Sequence, residues 1–141
     1  MGSRRQVLSV IVPPHAVFIV TFVRGTTSAQ RAKPYHWVFL IQAYKDARRL
    51  HPGIVHQLRG SPGNFHYQGD ESAYVLKNLD QAVNKIEVGS VDPSMLFRVA
   101  EVLNRVPIVN DKGSCWNCQD WSTRGLEMLR FLEIVGDRRG K

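Results

Sequence analysis

The periodicity of apolar residues changes once along the chain, and this change constrains the fold more than any other feature. Before Asp92-Pro93, short runs rich in β-branched and aromatic residues predict strands. After that point, apolar residues recur every three or four positions, as on one face of an α-helix. The predicted strands cover residues 7–12, 17–23, 35–44, 54–59, 64–68 and 81–88. Strands that precede helices in this way predict an α+β domain with a mostly antiparallel sheet.

Capping residues mark the start of two predicted helices. Asp92 is followed by a proline, a combination that favours the N-cap and first helical position. Asn117 is a favoured N-cap residue, and Asp120 three positions later resembles a capping box. The second helix is predicted from about residue 118 to residue 135, with Gly136 as its stop.

Composition predicts one globular domain over residues 1–141, with flexible termini at about 1–6 and 136–141. The 141 residues are 43% hydrophobic and 22% charged, which is ordinary for a globular protein. The net charge of +7 lies partly at the ends, and no zinc-finger spacing or long basic run accompanies it, so we expect no nucleic-acid partner. No apolar stretch approaches the roughly 20 residues of a membrane span.

Two cysteines three positions apart make a poor disulfide framework, which predicts a reduced, cytoplasmic protein. Cys118 falls in the first turn of the second predicted helix, where free backbone N–H groups favour a thiolate. Those groups, supported by Asn117 and Gln119, could also hold an oxyanion. A buried structural cysteine is the alternative interpretation, and the neighbouring Asp120 carboxylate disfavours a thiolate.

Two histidines lie within apolar strands and are candidates for the base. Alternation places His36 on the same face as Val38, and His56 on the same face as Leu58. If the two strands pair with their histidines facing the same way, His36 accepts the thiol proton and His56 orients its ring. Three aromatic residues are predicted to line a substrate cleft: Tyr35, Trp37 and Trp116.

The same residues are also compatible with other functions. Cys115 and Cys118 form a C-x-x-C pair, which in some proteins carries dithiol redox chemistry. The five histidines are scattered, so neither a metal nor another cofactor is predicted. A non-catalytic binding or accessory protein on the same fold is a further hypothesis.

Three sequence motifs of this chain resemble those of known proteins. The Tyr-His-Trp motif at residues 35–37, a strand with His56, and the Trp-Asn-Cys motif at residues 116–118 resemble a family of small uncharacterised fungal proteins. The similarity spans about residues 16–134. More distantly, the order of these motifs is similar to that of circularly permuted papain-like thiol enzymes, among them the lecithin:retinol acyltransferase-like and NlpC-type proteins.

This resemblance implies a permuted papain-like α+β fold and a triad of Cys118, His36 and His56. It implies a cysteine-dependent hydrolase or acyl/amide transferase that forms a thioester with a small-molecule or peptide-like carbonyl substrate. Residues 119–121 read Gln-Asp-Trp where the acyltransferases have a Glu-His-Phe type sequence, so their lipid substrates do not carry over. The sequence indicates no oligomeric state.

Overall fold

The computed structural model describes residues 13–23, 35–43, 53–72, 82–111, 113 and 115–137. Its elements, in chain order, are β1 (His15–Val23), β2 (Tyr35–Gln42), β3 (Ile54–Arg59), β4 (His66–Ser72), β5 (Asn84–Val91), a short 3-10 helix (Pro93–Met95), α1 (Leu96–Leu103) and α2 (Cys118–Phe131). The strand expected at residues 7–12 lies outside the described residues. None of the described helices is long and apolar enough to cross a membrane.

The five strands form one antiparallel sheet in the order β4-β3-β2-β1-β5. The first four strands pair with their neighbours in sequence, and β5 returns to the far side of β1. Both helices follow the sheet in sequence, as the change of periodicity predicts. The expectation of an α+β domain with an antiparallel sheet is therefore confirmed.

The helices pack against one face of the sheet, which we call the helix face. Side chains of this face and of both helices form one buried cluster, which includes Phe39, Leu103, Trp121 and Leu129. The other face, called the opposite face, is buried as well, and its apolar residues are Ala16, Phe18, Val20, Val38, Leu40 and Val55. Because strand residues alternate between faces, each side chain of β2 and β3 belongs to one of these two environments.

Helix α2 begins where the sequence predicts. The Asn117 side chain accepts a hydrogen bond from the Gln119 amide at 2.9 Å, and Asp120 accepts one from the Asn117 amide at 2.9 Å, which completes the capping box. One face of the helix is buried, with Trp121 edge-on to Phe39 at a centroid distance of 6.0 Å.

The end of α2 differs from the sequence-based expectation. The helix stops at Phe131 rather than near residue 135, because Glu133 takes a left-handed conformation with φ 60°. The chain then turns back, and Gly136 exchanges two backbone hydrogen bonds with Ser90, at 2.9 and 3.0 Å. Gly136 therefore pairs with the end of β5 and does not terminate the helix. Burial of Ile134 keeps this return segment against the sheet.

Two strands are displaced from their predicted positions. β4 begins at His66 rather than at residue 64, since Asn64 belongs to the hairpin turn and its amide donates to the Ser61 carbonyl at 2.7 Å. β5 covers residues 84–91 rather than 81–88. Much of each strand is exposed, so neither has the strong apolar alternation that fixes strand ends in a sequence.

Replacement of Gly89 tests the contact between β5 and the return segment. A Cβ at Gly89 would overlap the carbonyl oxygen of Gly136, and the φ of 159° is rare for residues with a side chain. We expect Gly89→Ala to lower the free energy of unfolding by about 1–3 kcal/mol, as measured by urea denaturation. Gly113→Ala is the control, because its Cβ would lie 3.6 Å from the nearest side chain and the position is exposed. Equal stability of the two variants would contradict the expectation.

Candidate functional site

Cys118 is the first residue of α2 and lies inside the core. Its side chain is 1% exposed and belongs to the cluster of the helix face. Cys115 is exposed, and neither cysteine forms a disulfide within the part of the chain that the structure describes. The predicted position at a capped helix start is thus confirmed, while the thiol is enclosed by apolar side chains.

His56 lies at the centre of β3 and points to the helix face. It pairs in register with Phe39 of β2, and residues directly opposite each other share a face. Its side chain is only 2% exposed, and Nδ1 is 2.7 Å from the Tyr67 hydroxyl. The approach of these two rings depends on Gly69, because any Cβ there would overlap the Tyr67 hydroxyl.

Asp70 reaches His56 through a bulge in β4. The register between β3 and β4 shifts between Val55 and Gln57, so that two residues of β4 oppose His56. Asp70 takes up this extra length in a left-handed conformation with φ 54°. Its Oδ1 atom lies 3.9 Å from His56 Nε2, and its side chain is 70% exposed.

The protonation states of this cluster follow from burial. Burial lowers the pKa of His56 below its ordinary value of 6.5, and the Asp70 charge opposes this only partly, so the imidazole is neutral at pH 7. Burial, with a contribution from Asp70, raises the pKa of Tyr67 far above its usual range. Tyr67 therefore keeps its proton and donates it to Nδ1, which assigns the imidazole proton to Nε2, on the side of Asp70.

The cluster of Tyr67, His56 and Asp70 borders a cavity between β4 and α1. The cavity has a volume of about 370 Å³ and is lined by Tyr67, Gly69, Asp70, Ala100, Glu101 and Asn104. This size lies within the range of sites for small molecules, roughly 300–1,000 Å³. A phenol and an exposed carboxylate thus line one concave surface, and both are neighbours of the buried His56 side chain.

His36 lies on the opposite face and forms a different network. Its Nε2 donates to the Gln57 amide oxygen at 2.8 Å, and the Gln57 amide nitrogen donates to Glu71 at 3.1 Å. Arg59 donates to both oxygens of Glu71 at 3.3 and 3.2 Å. Because the Gln57 nitrogen faces a carboxylate, its oxygen must face His36, which places a proton on His36 Nε2.

The two histidines do not face the same way, so the condition on which the triad depends is not met. Phe39 pairs with His56 and Val38 pairs with Gln57, so His36 shares its face with Gln57 and not with His56. The structure brings Cys118 and His56 to the helix face and leaves His36 on the other side of the sheet. It does not assemble the predicted triad, and the catalytic role of each residue stays a prediction.

The remaining predicted site residues lie near the start of α2 or at the edge of the core. The Asn117 side chain is occupied by the capping bond, and Gln119 is half-buried beside it. Trp116 is half-buried and packs edge-on against Phe65 at a centroid distance of 5.6 Å. Trp37 is half-buried on the helix face, and its indole N–H has no hydrogen-bond partner among the described residues. The side chain of Tyr35 lies outside the described part.

Sequence reasoning missed Tyr67, Asp70 and the cavity. Tyr67 falls within the strand predicted at residues 64–68 but has no predicted role, and Asp70 falls beyond that strand. One available signal was Gly69-Asp70, since a glycine within a strand often marks a bulge or a close approach of another group. Among the described residues, no group of three or more His, Cys, Asp or Glu is placed to hold a metal ion.

The buried state of His56 gives a testable pH dependence. Its pKa is lowered in the folded protein, so between that value and 6.5 the unfolded chain binds more protons. We expect the free energy of unfolding to fall as the pH drops below 6.5, and His56→Gln to remove this part of the pH dependence. Urea denaturation at several pH values between 8 and 5 measures the effect. His66→Gln, at an exposed position, is the control and should keep the wild-type slope.

The fold and the site define a class: an α+β domain with two helices on one face of a five-stranded antiparallel sheet and a small cavity beside a buried histidine. The model of one protein family matches residues 17–136, most of the chain. The chain belongs to this family, which is described as a family of unknown function (DUF6540). Comparisons with curated proteins and with solved structures find no match, and none of them links the chain to papain-like enzymes.

Proposed function

We propose that this protein is a non-catalytic ligand-binding domain whose site is the cavity between β4 and α1. The observation that carries this proposal is the separation of the two histidines, because a thiol, its base and the orienting group must meet in one place for catalysis. The burial of Cys118 supports it further, since a substrate carbonyl has to reach the sulfur.

The proposed fold remains permuted papain-like. The support is a cysteine at a capped helix start, packed through that helix onto an antiparallel sheet. In this proposal the scaffold is retained, while the ligand is held at the bulge of β4 instead of at the thiol. A small molecule is the expected ligand because the cavity is about 370 Å³.

Amide chemical shifts of ¹⁵N-labelled protein test the proposal. A fragment set with cationic, neutral and anionic members is titrated to millimolar concentration. We expect the shifts to concentrate at Gly69, Asp70, Ala100 and Asn104, which surround the cavity. Ala100→Leu should fill the cavity and abolish the shifts, whereas Thr123→Leu, which places a leucine at an exposed site on α2, should preserve them. Shifts that map elsewhere, or no shifts at all, would overturn the proposal.

A second candidate is a thiol hydrolase in which His56, rather than His36, is the base. It is favoured by the position of Cys118 at the capped helix start on the same face as His56. This mechanism requires an opening motion that exposes the sulfur and frees His56 Nδ1 from the Tyr67 hydroxyl, because Nδ1 is the acceptor nitrogen of the ring. The attacking thiolate would form a thioester with the carbonyl carbon, and the imidazole would take the thiol proton and return it to the leaving group.

Acylation by p-nitrophenyl acetate distinguishes this candidate. If it is correct, intact-mass spectrometry detects an acetyl adduct that disappears in Cys118→Ser and in His56→Gln but persists in His36→Gln and in Cys115→Ser. The binding proposal expects no adduct on Cys118. An adduct whose formation depends on His36 would contradict both candidates and would point to a rearranged sheet.

A further inference from the structure

The cavity beside β4 carries negative charge in a chain that is positive as a whole. Two of the six lining residues are carboxylates, Asp70 and Glu101, and none is a lysine or arginine. The whole chain has a net charge of +7, so an acidic concave surface is a local exception. A ligand with positive charge is attracted to such a surface, while an anion is repelled by its carboxylates.

The two carboxylates differ in what they already bind. Glu101 accepts from Arg98 at 2.8 Å, which offsets its charge. Asp70 has one ionic neighbour in the described part of the chain, His56 Nε2 at 3.9 Å, which is longer than a hydrogen bond. Because burial keeps that imidazole neutral at pH 7, the Asp70 charge is not balanced by it. Asp70 is therefore the carboxylate available to a ligand.

His56 supplies an independent sign that a ligand belongs here. Its side chain is 98% buried, its Nδ1 is satisfied by Tyr67, and its Nε2 is directed toward Asp70 with no hydrogen bond among the described residues. A ring N–H that has no protein partner is usually satisfied by water or by a ligand. A ligand group seated on Asp70 would stand beside this nitrogen.

We infer that the ligand is a small organic cation, with a primary ammonium or guanidinium group held by the Asp70 carboxylate. This inference rests on the proposed binding function and names its ligand class. The cation donates hydrogen bonds to Asp70, and the side chain of Asn104, the residue that follows α1, offers an amide oxygen in the cavity lining. A hydroxyl or carbonyl oxygen next to the cationic group would accept from His56 Nε2. The volume limits the ligand to a small molecule.

Four small probes built on a four-carbon chain separate the effect of charge from that of the apolar chain: n-butylammonium, n-butylguanidinium, 1-butanol and butyrate. Each is titrated into ¹⁵N-labelled protein at pH 7.5 and low ionic strength, and Kd is taken from the shifts of the cavity amides. We expect both cations to bind at least about 10-fold more tightly than 1-butanol, because charge-assisted hydrogen bonds are worth roughly a factor of ten or more, and butyrate not to bind.

Variants of two acidic residues give the matched comparison. Asp70→Asn keeps the side-chain size and tolerates the left-handed backbone, and it should weaken binding of both cations by at least about 10-fold. Glu133→Gln removes an exposed carboxylate outside the cavity, at a residue whose backbone is also left-handed, and it should leave Kd unchanged. Circular dichroism of both variants checks that they are folded.

The outcomes separate this inference from the proposed function. If 1-butanol or butyrate shifts the cavity amides as strongly as the cations do, the cation inference is overturned while the binding site stands. If the cations bind equally well to Asp70→Asn, the inference is likewise overturned. If no probe and no fragment shifts the cavity amides, the proposed function itself fails.

Discussion

Iodoacetamide is expected to alkylate Cys115 at the rate of an ordinary exposed thiol and Cys118 at least about 1,000-fold more slowly. The reason is access: Cys115 is exposed, whereas the Cys118 side chain is 1% exposed within the helix-face core. A buried thiol reacts only when its surroundings open, and an opening free energy of about 4 kcal/mol already gives this factor. Peptide mapping by mass spectrometry at neutral pH, over a time course, measures both rates in one sample.

The same experiment in 8 M urea is the control, because both cysteines should then react at similar rates. Cys115→Ser removes the fast adduct and confirms the assignment. If native Cys118 reacts faster than Cys115, the thiol is both accessible and activated. That result would contradict the binding-only proposal and favour the hydrolase with His56 as base.

Trp121→Ala is expected to have the largest effect on stability, a loss of about 3–5 kcal/mol in the free energy of unfolding. Trp121 is 0% exposed and packs from α2 onto the sheet. Its ring centroid lies 6.0 Å from that of Phe39 and 5.7 Å from that of Tyr67. Its removal leaves a cavity at the junction of both layers. For a domain whose total stability is about 5–15 kcal/mol, this is a large fraction. Urea denaturation followed by far-UV circular dichroism measures it.

Phe131→Ala provides the matched control for this prediction. It also truncates an aromatic residue of α2, but the Phe131 side chain is 85% exposed. Its expected effect is within about 0.5 kcal/mol. A Trp121→Ala variant as stable as Phe131→Ala would show that α2 does not pack on the sheet as described.

The helix starts were predictable because their signals are local. Asp92 and Asn117 satisfy backbone amides within three residues of themselves, so sequence spacing alone specifies the bond. The boundaries of β2 and β3 were predictable within two residues, since both strands are buried and strongly apolar. The end of α2 was not, because the left-handed Glu133 depends on the tertiary contact of the return segment with β5.

The faces of the histidines illustrate the limit of pattern reading. Alternation correctly groups His36 with Val38 and, separately, His56 with Leu58. It does not say which group of β3 lies beside which group of β2, because a shift of one residue in register exchanges them. The triad depended on that register. The cluster of Tyr67, His56 and Asp70 likewise depends on a bulge in β4. The sequence of β4 has no alternation of apolar and polar residues that would reveal the inserted residue.

The outer strand of the sheet has a consequence for self-association. β4 is the border next to β3, and its left-handed Asp70 interrupts the row of backbone groups that an added strand would need. At the other border, Gly136 already occupies the backbone groups of Ser90. Within the described sheet, each border therefore carries one irregularity that disfavours the addition of a strand from a neighbouring molecule.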